Sequence, residues 1–116
     1  MPLSKRDQAR IERRLVASLT HACETAKAEI PGFEWLTHQV DSGSFPDSLR
    51  VIWVFDSRTS KELALANGHG ARMRELTLAA LSDADVQPIN ASRCVMFDSE
   101  QECQQQHGGN WALRLK

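Results

Sequence analysis

Ile11, Leu15, Leu19, Ala22 and Ala26 recur at helical spacing and predict a long first helix, opened at Ser4 with Asp7 three residues on. Pro31-Gly32 stops it. Phe33 to Val40 reads as a first strand, and Asp41 to Ser48, with Gly43 and Pro46, as a turn. Leu49, Val51, Trp53 and Phe55 fall on one face of the next strand. Ile52 and Val54 make its other face apolar too, which places it centrally in a sheet. Thr59 with Glu62 reads as a capping box for a short helix ending at Ala66. Asn67-Gly68-His69-Gly70 breaks that helix, and Ala71 to Ala84 resumes with Met73, Leu76, Ala80, Leu81 and Ala84 as its apolar stripe.

After a loop holding Pro88, Arg93 to Phe97 reads as a third strand. Ser99 with Glu102 opens a last short helix, Gly108-Gly109 closes it, and Trp111 to Leu115 alternates like an edge strand. Val54-Phe55-Asp56-Ser57 and Met96-Phe97-Asp98-Ser99 both read as strand, Asp-Ser, helix. The predicted fold is one α+β domain over residues 1–116. Its sheet is mixed and three- to four-stranded with helices mainly on one face, in the order αββααβα(β).

The 116 residues are 41% hydrophobic and 25% charged, the make-up of an ordinary globular domain, and no run is apolar enough to span a membrane. The N-terminus lacks the apolar core of a signal peptide. Cys23, Cys94 and Cys103 form no C-x-x-C pair. Reduced thiols in a cytoplasmic protein follow as the expectation. A net charge of −1 argues against broad coating of nucleic acid, yet the charge is uneven. Lys5, Arg6, Arg10, Arg13 and Arg14 crowd the first helix. Arg6, Arg10, Arg13 and Arg14 share one arc opposite its apolar stripe. That arc suits phosphate contacts with RNA or DNA, and it also suits a plain solvated face.

Asp56 and Asp98 each follow an apolar strand. On parallel strands both carboxylates would reach the same sheet edge, where two could hold Mg²⁺ for phosphodiester cleavage with His69 or His107 as acid or base. The first reading of the Asp-Ser pairs is that they start helices, as Asp and Ser often do. Cys103 and His107, and His21 with Cys23, fall short of a zinc set. No catalytic residue, metal site or cofactor is assigned, and the pattern favours a binding role over an enzyme. Phe33, Trp35, Trp53, Phe55 and Phe97 are either core or stacking platforms for bases. The final strand offers a second route to function, pairing with another copy as a homodimer.

Over residues 4 to 98 the order helix, strand, strand, helix, loop, helix, strand resembles the bacterial type II K-homology fold, with residues 99–116 as an extension. The degenerate loop makes it similar to the ribosome-binding factor A family in particular. The resemblance implies that Gly68, His69 and Gly70 approach a sugar-phosphate backbone, with Arg72 and Arg74 adding charge, and that RNA, DNA or the ribosome is the partner. Gly68-His69-Gly70 has one residue between its glycines where the family has two. The chain also resembles small bacterial proteins labelled as regulators related to the factor for inversion stimulation. That factor is all-helical, whereas Arg93 to Phe97 reads here as strand.

Overall fold

In the computed structural model, which describes residues 5–40, 48–86 and 91–115 without the side chains of Ala91 and Ser92, the first apolar stripe becomes α1 (Lys5–Glu29). Leu15, Leu19, Ala22 and Ala26 are its buried face. The predicted cap at Ser4, most of the turn before residue 48 and Pro88 lie outside the described residues. Gly32 turns the chain from α1 into β1 (Phe33–Gln39) at φ +81, and a Cβ there would stand 2.5 Å from the Ser60 Cβ. Only glycine satisfies both conditions.

β2 (Arg50–Phe55) is the central strand of three, in the order β1-β2-β3. It runs antiparallel to β1 and parallel to β3 (Val95–Ser99). Its five residues from Val51 to Phe55 are all buried, as an apolar run with two covered faces requires. Val51, Trp53 and Phe55 share a core with the buried residues of α1 and with Met73, Ala80 and Leu81 of α3 (His69–Asp83). Full burial of each large apolar side chain contributes ~1.5–3 kcal/mol. Trp53 also donates its indole N–H to Thr77 Oγ1 at 3.0 Å, so a polar atom enters the core with its partner.

The parallel connection from β2 to β3 passes through α2 (Arg58–Ala66) and α3. Ser57, not Thr59, caps α2, accepting from the Ser60 amide. β2 ends at Phe55, so the chain turns at once and Ser57 meets the first free amides, leaving Thr59 inside the helix. Ser99 caps α4 (Glu100–His107) by accepting from the Glu102 amide, as its sequence suggests, and Gly108 closes that helix in the left-handed region.

Two further expectations need correcting. The third strand starts at Val95, because Arg93 and Cys94 belong to a 3-10 turn, Ala91–Cys94. The last segment is not an edge strand but a helical turn, α5 (Trp111–Arg114), capped by Asn110, whose Oδ1 accepts from the Leu113 amide. A homodimer pairing through a C-terminal strand therefore loses its strand. α5 lies on the face of the sheet opposite α1 and α3. There Trp111 meets Trp35 edge-on at 5.0 Å, Arg114 reaches Asp98, and Arg50 donates to the Leu115 carbonyl. No helix among the described residues is long and apolar enough to cross a membrane.

Candidate nucleic-acid interface

The arginine arc sits on the exposed side of α1. Arg6, Arg10 and Arg13 are exposed and, among the described residues, have no carboxylate partner. Glu12, on the flank of the arc, has its carboxylate 3.5 Å from His38 Nε2 on β1. Arg14 is different. It donates to the Asp83 carbonyl at 3.3 Å and to Asp85 Oδ2 at 3.2 Å, so it stitches α1 to the end of α3. A cation there also meets the negative end of the α3 dipole.

The interhelical loop is shorter than the sequence suggests. Asn67 caps the end of α2 and Gly68, at φ +85, directly precedes α3. His69 and Gly70 are the first residues of α3 and not loop. Gly68 is exposed, and a Cβ added to it would meet nothing within 4 Å. Gly70 is buried, and a Cβ there would stand 3.1 Å from Leu65 Cδ2 and 3.4 Å from Arg74 Nη1. The two glycines therefore do different things: Gly68 makes the turn, and Gly70 lets α2, α3 and β3 approach.

Arg72 and Arg74 are both engaged. Arg72 holds Glu29 with two hydrogen bonds, 2.9 Å and 3.0 Å, and reaches Glu75 at 2.5 Å. The Arg72 hydrogen bond keeps the Glu29 carboxyl below its usual range, helped by the nearby charges of Arg72 and His69. Arg74 lies over the Phe97 ring, 5.4 Å from its centroid.

Since Arg14 meets the end of α3 and Glu29 meets its start, α1 and α3 are antiparallel. About 22 Å of helix separates those two contacts. The arginine arc and the Gly68 turn thus stand at opposite ends of the α1–α3 pair and form two separate surfaces. Among the aromatics, Phe33, Trp53 and Phe55 are buried, whereas Trp35 and Phe97 are half-buried.

β2 and β3 are parallel, with Asp98 inside β3 and Asp56 just past the end of β2, but the two do not form an open carboxylate pair. Asp98 is held by Arg114 through two hydrogen bonds, 2.6 Å and 2.8 Å. The Ser60 hydroxyl, then Ser57, holds the Asp56 carboxyl below the ordinary range, the behaviour of a group serving a helix start. Among the described residues no three His, Cys, Asp or Glu side chains converge as metal ligands. Burial pushes the Cys94 and Cys103 thiols up, away from nucleophilic use, and His107 Nδ1 lies 3.3 Å from Arg114.

Sequence reasoning missed the cluster around Asp98. Lys61 of α2 donates to Glu102 at 2.6 Å, Arg114 lies between Asp98 and Glu102, and Glu100 accepts from both Trp35 and Trp111. Its members come from five elements, and only their shared neighbourhood in space marks them as a set. No protein-family model matches the chain, and no curated protein or solved structure matches it.

Proposed function

We propose that this protein binds single-stranded nucleic acid, RNA in the first instance, through the exposed stripe of Arg6, Arg10 and Arg13 on α1. One observation carries the reading: three exposed cations on successive turns have no carboxylate partner among the described residues, while Glu12 leans towards His38. The rise along the helix is about 6 Å from Arg6 to Arg10 and about 4.5 Å from Arg10 to Arg13, a spacing that lets one helix face meet successive phosphates. The Gly68 turn is a second contact, with open space where a side chain would stand. In this reading the basic helix carries most of the phosphate attraction. Three free thiols suit a reducing, cytoplasmic setting, the ribosome included.

The test is a titration of labelled random-sequence single-stranded RNA, and of DNA, over graded salt. Three phosphate contacts predict a slope of about −2 in log affinity against log salt. Replacing Arg6, Arg10 and Arg13 together by Gln, with folding checked by circular dichroism, should abolish that salt dependence. Gly68→Asp should weaken binding separately. Absence of wild-type binding at low salt, or binding unmoved by the triple replacement, rules the reading out.

A further inference from the structure

The structure offers a second surface, on the flank of α1 next to the arginine stripe. β1 is an edge strand, pairing among the described residues with β2 alone, and an edge strand is a template for a further strand. Beside that edge runs a groove of about 470 Å³ between β1 and one flank of α1, lined by Val16, Leu19, Cys23 and Leu36 with the charged Glu24 and Lys27 among them. Val16, an apolar residue, is 46% exposed there.

We propose that this flank is a homodimer interface, in which β1 of two copies pairs antiparallel, the two sheets join, and the two α1 helices pack across a two-fold axis. The charge pattern identifies a second copy as the occupant. Along this side of α1, Glu12 stands at one end and Lys27 at the other, with Val16 and Cys23 between them, symmetric about Leu19 and Thr20. An antiparallel copy brings Glu12 to the other copy's Lys27 and Val16 to its Cys23. Each contact then occurs twice, as an isologous interface requires. A parallel arrangement would set like charge on like charge. The strand agrees with the helix: Leu36 and Thr37, at the middle of β1, line the same groove as Leu19 and Thr20, so one axis serves both elements. The register irregularity between Phe33 and Trp35 confines the paired stretch to residues 35–39.

Sedimentation velocity of the full chain over a wide concentration range tests this. A concentration-dependent dimer is expected. Val16→Glu, at an exposed position that leaves the fold intact, should raise its dissociation constant at least about tenfold, because each copy would carry an unpaired carboxylate into the seam. Glu12→Lys alone and Lys27→Glu alone should each weaken it several-fold. The two together should restore it, since the exchanged charges again face each other. A monomer throughout, a dimer unchanged by Val16→Glu, or a double exchange that is no better than the singles overturns the proposal. RNA binding by the arginine stripe is titrated separately on each variant, because Glu12 and Val16 border one depression with Arg6 and Arg13.

Discussion

Arg114 and Asp98 meet in a two-bond pair, 2.6 Å and 2.8 Å, with only 11% and 14% of their side chains exposed. The pair ties the last helical turn to β3. Removing one partner leaves the other charge half-stranded in a desolvated site, a far larger loss than for a surface pair. Arg114→Ala should cost ~3 kcal/mol in urea unfolding. Arg114→Lys should recover little, because an ammonium cannot match the two-pronged geometry. A loss below ~0.5 kcal/mol would mean that α5 contributes nothing to the fold.

Lys61 and Glu102 give the fold a defined acid response. The hydrogen bond from Lys61, then that from Ser99, holds the Glu102 carboxyl below its ordinary value despite burial. A carboxylate whose folded pKa is depressed contributes stability that is complete above about pH 4.3. That stability is lost as pH falls through the lower, folded value. Melting temperature followed down through this window should fall more steeply for wild type than for Lys61→Met, so the gap between them narrows in acid. A gap that stays constant would contradict the linkage.

Gly68 and Gly70 are two residues apart yet should answer oppositely to alanine. Gly68 sits at φ +85, where a Cβ is strained whatever the space, so Gly68→Ala should destabilise by ~1 kcal/mol. Gly70 lies within α3, where alanine gains helix propensity and its methyl presses on the movable ends of Leu65 and Arg74. Gly70→Ala should therefore be within ~0.5 kcal/mol of wild type. Equal losses at both positions would show that the turn is not the constraint.

Thr77 is fully buried and accepts from Trp53 while donating to the Met73 carbonyl at 2.8 Å. Thr77→Val keeps the volume and orphans the indole N–H. It should cost ~1–3 kcal/mol. In a double-mutant cycle with Trp53→Phe much of that loss should disappear, and full additivity would deny the coupling.

The long periodic elements were legible in the sequence because they bury a face of their own. Leu15, Leu19, Ala22 and Ala26 predict α1, and the apolar run at 51–55 predicts a central strand. Trp111 to Leu115 was not legible. Four or five residues hold less than two helical turns, and what fixes them lies far away, in Asp98, Trp35 and Glu100. The candidate site divides the same way. A helical wheel shows the arginine arc, but not that Arg14 answers to Asp85 or Arg72 to Glu29, since those partners are distant in sequence. Ser57 and Thr59 compete as caps, and only the point where β2 ends decides between them.

The parallel pairing of β2 with β3 also sets an order of assembly. α1, β1 and β2 are neighbours along the chain and can collapse together, whereas β3 reaches β2 only after α2 and α3 have been traversed. Closing that long loop costs entropy before any contact is gained, which makes it the late step. Until then the apolar centre of the sheet has one edge open, and α4 and α5 have nothing to clasp. A newly made chain is most exposed to wrong partners during that interval, and dilution or a chaperone that shields β2 would speed recovery of the native state more than any change to the long first helix.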